Sequence, residues 1–118
     1  MDRPHKNLDV WKLAMECVSD IYRITKPFPV DERFGLTDQL RRAAISIPSN
    51  IAEGSSRNTK KEFVHFLHMA QGSLSEIDTQ LEISVNLEYL TLEDSNEVYL
   101  KLERIGKMIT GLIKNQKE

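Results

Sequence analysis

Five basic residues are the densest group of side chains in this sequence that could do chemistry. They are Arg41, Arg42, Arg57, Lys60 and Lys61. Guanidinium and ammonium groups bind phosphate, so the group predicts contact with a nucleic-acid backbone that weakens as salt rises. Arg41 and Arg57 would lie about 24 Å apart along one helix, which divides the group into two spots. A solvated face with ion pairs to acidic helices explains the same residues without a ligand, and both interpretations stay open.

Opposite charges occupy successive parts of the chain. Residues 33–61 carry six basic and two acidic side chains, whereas residues 75–103 carry eight acidic and one basic. The basic face of one copy could therefore meet the acidic face of the next, as in a head-to-tail ring whose two contacting surfaces differ. The net charge of −2 provides no overall field that would attract nucleic acid or an anionic membrane.

Few residues suggest catalysis or metal binding. Glu62 and His65 have the Glu-x-x-His spacing of di-iron bundles, but those sites need a second such motif, and the residue three before His68 is His65. Cys17 falls on an apolar stripe and is predicted to be a small core residue. No serine–histidine–aspartate order, Gly-rich phosphate loop or Cys-x-x-Cys pair stands out. We therefore expect no enzymatic activity, no metal and no cofactor.

Four amphipathic helices would position these groups. Apolar residues recur at three- and four-residue steps in four segments, and no segment alternates as a strand would. The predicted inward residues are Val10, Trp11, Ala14, Cys17, Val18, Ile21 and Ile24; Leu36, Leu40, Ala43, Ala44, Ile47 and Ile51; Phe63, Leu67, Ala70, Leu74, Ile77, Leu81 and Val85; and Val98, Leu102, Ile105, Ile109 and Leu112. Short connections predict an all-α, up-down-up-down four-helix bundle. It forms one domain over residues 1–118, with a loose arm over 1–7 and a frayed tail over 115–118.

Capping signals mark the helix starts. Asn7 is predicted to cap the first helix. Thr59 and Glu62 form a capping box before the third helix, and Thr91 with Asp94 forms a second such signal before the fourth. The first helix is expected to end before the two prolines that follow residue 26.

Pro48 lies inside the second predicted helix, where it removes one backbone donor and crowds the carbonyl of Ala44. Either the helix ends near Ile45 and a new one begins at Pro48, or one helix is kinked there. In the kinked helix Ser49 or water would satisfy the freed carbonyl. The apolar phase continues across the proline, which favours the kink.

The end of the second helix contains three further residues of interest. Gly54 is predicted to stop the helix as a left-handed C-terminal residue. Asn50 and Glu53 lie three residues apart beside the kink, where hydrogen bonds could hold the helix end. A binding role for the pair is the alternative.

The cysteine count and the lack of long apolar segments predict where the protein resides. Cys17 is the only cysteine, so no internal disulfide can form, and an intracellular chain is expected. The N-terminal residues have no apolar signal region, and no apolar run approaches the roughly 20 residues of a membrane span. We predict a cytoplasmic protein with no membrane partner.

Three stretches carry a family resemblance, over residues 8–16, 28–54 and 61–76. The most specific of them contains Ser46-Ile-Pro-Ser-Asn-Ile-Ala-Glu-Gly. Together they resemble the four-helix-bundle proteins encoded in intervening sequences of bacterial 23S ribosomal RNA genes, from about residue 8 to residue 113. The resemblance implies a left-handed bundle and a homo-oligomer, specifically a pentamer, with no enzymatic activity.

Similar bundles include the accessory protein of diversity-generating retroelements, a basic pentamer that works with a reverse transcriptase and nucleic acid. The candidate partners are therefore other copies of the chain, RNA or DNA, and a nucleic-acid-processing protein. Our leading hypothesis is an interaction protein that binds structured RNA through Arg41, Arg42, Arg57, Lys60 and Lys61. The alternative is a structural scaffold that binds only protein.

Trp11 and Tyr22 could cover a subunit contact or pack in the core.

Overall fold

The computed structural model describes residues 3–117, with side chains through residue 116, and this part of the chain contains helices and no strand. The long helices are α1 (Asp9–Thr25), α2 (Leu36–Ser55), α3 (Lys60–Asn86) and α4 (Leu92–Lys117). Short 3-10 helices occupy Pro4–Asn7 and Val30–Glu32. The described body measures 44 × 26 × 19 Å. The prediction of an all-α fold with four helices is confirmed.

Each long helix packs against two neighbours. Helix α1 lies against α2 and α4, and α3 lies against the same two helices; across the described residues neither diagonal pair approaches closely. One hydrophobic core runs between them. The up-down-up-down order and the left-handed twist stay predictions.

The predicted inward residues lie in this core. All are buried except Trp11, Val18, Phe63, Val85 and Leu112, which are half-buried and pack against it. The pattern missed four buried residues with large apolar side chains, namely Leu13, Phe28, Leu90 and Ile113. Helical periodicity therefore identifies the buried stripe of each helix, while residues in the connections and at stripe edges escape it.

Two of the three predicted N-cap residues accept the expected hydrogen bond, although the reciprocal bond from the Thr59 amide to the Glu62 carboxylate is absent among the described residues. The hydroxyl of Thr59 accepts a hydrogen bond from the Glu62 amide at 3.1 Å, and Thr91 accepts one from the Asp94 amide at 3.1 Å. Asn7 does not cap α1, because the chain turns through the 3-10 helix and Leu8 occupies the N-cap position without a side-chain bond. That prediction was wrong.

Both chain ends are more regular than expected where the structure describes them. The predicted loose arm over 1–7 contains the 3-10 helix Pro4–Asn7, which contacts α1 and α2. The predicted frayed tail over 115–118 continues α4 as far as Lys117. Residues 1, 2 and 118 lie outside the described part of the chain.

Helix α2 runs through Pro48 without interruption, which excludes a helix end near Ile45. Two side chains bond to nearby carbonyls: Ser46 donates to the Ala43 carbonyl at 2.7 Å, and Asn50 donates to the Ser46 carbonyl at 2.8 Å. Ser49 makes no side-chain hydrogen bond within the described residues. A change of helix direction at Pro48 stays a prediction.

Gly54 has a different role from the predicted one. No glycine among the described residues has a positive φ, and α2 continues to Ser55. A Cβ atom at Gly54 would lie 2.8 Å from Cβ of Phe66 and 2.9 Å from Cδ1 of Phe63. The glycine therefore allows α2 and α3 to approach closely at this point, and the prediction of a left-handed stop was wrong.

Candidate functional site

Arg41 is engaged within the fold. Its Nε donates to the hydroxyl of Thr25 at 3.0 Å, and its guanidinium lies 4.4 Å from the ring centre of Tyr22. Thr25 is buried and donates in turn to the Ile21 carbonyl at 2.7 Å. Arg41 thus joins α2 to the last turn of α1. This structural role accounts for its charge without a phosphate ligand.

Arg42 and Arg57 each form an ion pair one helical turn away. Arg42 binds Asp38 at 2.8 Å, and Arg57 binds Glu53 while its guanidinium lies 4.9 Å from the Phe66 ring. Exposed ion pairs of this kind contribute about 0–1 kcal/mol each to stability. Breaking either pair to bind another partner would therefore cost the fold little. Glu53 pairs with Arg57 just beyond the end of α2, and a role for this pair in holding the helix end stays a prediction.

The five predicted basic residues separate into two places. Arg41 and Arg42 lie in the first half of α2, whereas Arg57, Lys60 and Lys61 lie at the α2–α3 connection. Lys60 and Lys61 line a small groove with Val64 and Gln116, so the end of α4 is beside them. Leu8 and Met108 line another groove, which brings the start of α1 to the same place.

We call this end of the bundle, formed by residues 3–12, 53–62 and 107–116, the basic end. Its basic residues are Arg3, Lys6, Lys12, Arg57, Lys60, Lys61, Lys107 and Lys114, against the acidic Asp9, Glu53 and Glu62. Within the described residues Lys60, Lys61 and Lys114 form no ion pair. The basic end is therefore a concentrated positive surface on a chain whose net charge is −2.

The opposite end of the bundle is acidic. Here the α1–α2 connection meets the α3–α4 connection, with the Tyr89 hydroxyl donating to Glu32 at 3.0 Å. Residues 26–38 and 82–97 define this acidic end; its acidic residues are Asp31, Glu32, Asp38, Glu82, Glu88, Glu93, Asp94 and Glu97, and its basic residues are Lys26 and Arg33. The charge segregation seen in the sequence becomes a polarity along the long axis of the molecule.

The side of the bundle formed by α1 and α2 carries an apolar groove of about 340 Å³. Trp11, Met15, Ile45 and Pro48 are among its lining residues. Met15 and Ile45 are 44% and 42% exposed, so the groove presents apolar surface to solvent. Trp11 is half-buried and makes an edge contact with His5, with ring centres 5.1 Å apart.

The side formed by α3 and α4 carries a longer, acidic groove. Two adjoining hollows of about 660 and 480 Å³ share Asp78 and Tyr99. Glu82 lines one hollow and Glu103 the other. The floor contains small residues, including Gly106, and these leave space between the two helices. This groove and the apolar one lie on opposite sides, because α1–α2 and α3–α4 are opposite pairs in the packing order.

The thiol, the amine and the imidazole that could take part in catalysis or metal binding are each buried, hydrogen-bonded or exposed without a metal-binding neighbour in the described part of the chain. Cys17 is buried, and burial, followed by the nearby charge of Asp20, raises the pKa of its thiol from 9.0 to about 12. Lys101 on α4 donates to Asp20 on α1 at 2.6 Å, and this hydrogen bond raises the pKa of Lys101. His65 is exposed, and the described residues contain no group of three or more His, Cys, Asp or Glu placed to hold a metal.

Sequence reasoning missed Glu32 and Tyr89, which fix the acidic end. The Glu32 carboxylate accepts from the Leu36 amide at 3.1 Å and from the Tyr89 hydroxyl. The hydrogen bond to Glu32 raises the pKa of Tyr89. Glu32 lies four residues before Leu36, a spacing that could have suggested a cap, but its second partner is 57 residues away.

None of the helices in residues 3–117 has the length and apolar character of a membrane span. Four surface features stand out on the bundle: its two charged ends and its two side grooves. One end is basic and the other is acidic. The groove on the α1–α2 side is apolar, and the groove on the α3–α4 side is acidic.

The sequence matches the family model described as 23S rRNA-intervening sequence protein over residues 6–111. A search among curated proteins found no match. The fold is similar to the 1.70 Å crystal structure of a protein with unknown function from the S23 ribosomal protein family of Bacteroides thetaiotaomicron VPI-5482. The TM-score is 0.80 at 24% sequence identity, covering 89% of this chain and 98% of that chain, which shows a shared fold. The resemblance found in the sequence is confirmed, and the chain belongs to the 23S rRNA-intervening sequence protein family.

Proposed function

We propose that this chain is a non-enzymatic interaction protein that assembles side by side into a homo-oligomeric ring. The observation that carries the proposal is the pair of unlike faces on opposite sides of the bundle. One face exposes Met15 and Ile45 beside the arginines of α2, and the other is a groove lined by Asp78, Glu82 and Glu103. Unlike faces on one chain favour a head-to-tail contact, which gives a ring where the rotation between copies closes. The family resemblance favours the closed ring.

The proposed subunit is a left-handed, up-down-up-down bundle, and the proposed ring is a pentamer. The bundle order is supported by the contacts at each end, where the start of α1 lies beside the end of α4 and the two connections of the acidic end touch. The pentamer is what the resemblance to this family implies. Arg42, with 78% of its side chain exposed and only Asp38 as a partner among the described residues, is the arginine proposed to meet carboxylates of a neighbouring copy.

Sedimentation of the purified chain tests the ring. We expect a particle of five 13.6 kDa subunits at micromolar concentration. Ile45→Arg places a charge in the apolar face and is expected to release monomers. Ile83→Arg is the matched control, because Ile83 is 41% exposed and lines neither side groove. A wild-type mass of 13.6 kDa, or equal effects of the two variants, would overturn the proposal.

A second function, binding of structured RNA, is favoured by the basic end. In a ring of parallel subunits five basic ends would lie on one rim, and their lysines would contact phosphates without needing base-specific geometry. Among the described residues of the basic end no Phe or Tyr is interleaved with these lysines, and Trp11 lies in the α1–α2 groove. The proposed recognition is therefore of backbone shape and charge. Arg41 and Arg42 belong to the side-by-side contact in this proposal.

Electrophoretic titration against a structured RNA at two salt concentrations tests this second function. Lys60→Glu with Lys61→Glu is expected to weaken binding at least tenfold, and higher salt should weaken wild-type binding. Glutamates suit the first turn of a helix, so these changes leave α3 intact. Lys26→Glu at the acidic end is the control and should have no effect. Absence of binding at low salt would leave the protein scaffold as the function.

A further inference from the structure

The acidic end exposes two large apolar side chains on a short connection. Phe34 is 83% exposed and Val30 is 82% exposed, more than any other large apolar residue in the described part of the chain. Both belong to the α1–α2 connection, and Arg33 lies over the Phe34 ring at 5.0 Å. Two neighbouring apolar groups this far from the core gain nothing from folding of the single chain.

The connection that carries them is fixed by hydrogen bonds and packing. Glu32 between the two residues accepts from the Leu36 amide and from the Tyr89 hydroxyl. Phe28, at the start of the connection, is buried and packs on Tyr89 with ring centres 5.5 Å apart. Val30 and Phe34 are therefore presented outward on a preorganised turn, which lowers the entropy lost when they bind a partner.

The basic end of the same chain contains an apolar hollow. It has a volume of about 310 Å³ and is lined by Leu8, Val10, Met108 and Leu112. Gly111 lies in its wall, and a Cβ atom at that position would have no neighbour within 4 Å. An aromatic side chain that entered such a hollow would bury roughly 150–250 Å² of its own surface.

The ends that carry these two features are opposite in charge: Val30 and Phe34 belong to the acidic end, and the hollow belongs to the basic end. The charges directly beside the two features are also opposite, because Arg33 lies over the Phe34 ring and Asp9 lines the hollow. Opposite fields steer two such surfaces together and fix their register. One chain therefore carries both halves of a complementary contact, at opposite ends of a 44 Å body.

We propose that the acidic end docks onto the basic end of a second copy of this chain, with Phe34 in the hollow between Leu8 and Leu112. The contact is heterologous and lies along the long axis, so it propagates into stacks and does not close. It does not depend on the side-by-side ring. Because it uses the basic end, it competes with RNA for that surface.

A disulfide trap tests the contact. The variant Val30→Cys with Asn115→Cys keeps Phe34 and places a thiol at each proposed surface, since Asn115 lines the hollow. A disulfide needs Cα atoms within about 7 Å, so thiols at opposite ends of one chain can pair only between copies. Cys17 does not need to be replaced in this variant, because the thiol is buried and its raised pKa keeps it protonated and unreactive.

Mild oxidation is expected to give a ladder of trimers and longer chains on a non-reducing gel, less abundant at high salt. Each single variant should give dimers at most.

Val30→Cys with Gly72→Cys is the matched control, because Gly72 is exposed on the side of α3. Adding Phe34→Asp to the Val30→Cys, Asn115→Cys variant should remove the ladder. A ladder equally abundant in the Gly72 control, or unaffected by Phe34→Asp, overturns the proposal. Absence of a ladder also overturns it and leaves the acidic end to a different protein partner.

Discussion

Replacing Gly54 by alanine tests whether this glycine is needed for the close approach of α2 and α3. The added methyl would lie 2.8 Å from Cβ of Phe66, 2.9 Å from Cδ1 of Phe63 and 3.3 Å from the Phe63 carbonyl oxygen. A side-chain root and a backbone oxygen cannot swing aside. The two helices would therefore have to separate.

The magnitude follows from two opposing effects. Overpacking a well-filled core typically lowers the free energy of unfolding by about 1–3 kcal/mol. Because the neighbours of Gly54 cannot move aside, we expect the added methyl to cost about 2–3 kcal/mol. Alanine inside a helix recovers about 1 kcal/mol relative to glycine. We expect Gly54→Ala to lower the free energy of unfolding by about 1–2 kcal/mol.

Gly72→Ala is the matched control on α3. Gly72 is exposed, and a Cβ atom there has no neighbour within 4 Å, so only the gain in helix propensity remains. It should stabilise the protein by about 0.5–1 kcal/mol, leaving the two variants about 1.5–3 kcal/mol apart.

Urea unfolding followed by far-UV circular dichroism measures this difference. All samples need the same protein concentration, since assembly stabilises the folded chain. If Gly54→Ala were as stable as Gly72→Ala, the close approach at Gly54 would not be the reason for the glycine, and our interpretation of the contact with α3 would be refuted.

Three further predictions concern titration and the Arg41 contact. The thiol of Cys17 ionises near pH 9.0 when unfolded but near 12 when folded, so the unfolded state binds fewer protons in this window and stability falls with rising pH. Equilibrium unfolding of Cys17→Ala should show a slope shallower by up to about 1.4 kcal/mol per pH unit. Glu32→Gln removes the carboxylate that raises the pKa of Tyr89, and a phenolate absorbance titration should show that pKa lowered. Arg41→Met should lower the free energy of unfolding by about 1 kcal/mol, because the Thr25 hydroxyl and the Tyr22 ring lose their partner; an unchanged urea midpoint would show that this contact contributes nothing.

The four helices and their buried stripes could be predicted because burial repeats with the helical period. Leu67, Ala70, Leu74 and Ile77 follow that period along α3, and all are buried. The capping threonines could be predicted for a similar reason, since a cap acts within three residues. Local chemistry was enough in both cases.

Features that depend on two distant segments could not be predicted in the same way. A glycine near a helix end suits either a left-handed stop or a close approach, and only the position of Phe63 and Phe66 decides between them at Gly54. The sequence could not decide between phosphate contact and a structural role for Arg41, because its partner Thr25 lies 16 residues earlier, on another helix. The two charged ends likewise became visible only when the packing brought the chain ends and connections together.

Trp11 gives the protein a built-in optical reporter. It is the only tryptophan, and it lies at the groove between α1 and α2, beside Met15 and Ile45. Its fluorescence therefore comes from a single known location, without an added dye. Dilution of an assembled sample should shift the emission to longer wavelength as water reaches the indole, and the course of that shift gives the strength of the side-by-side contact directly.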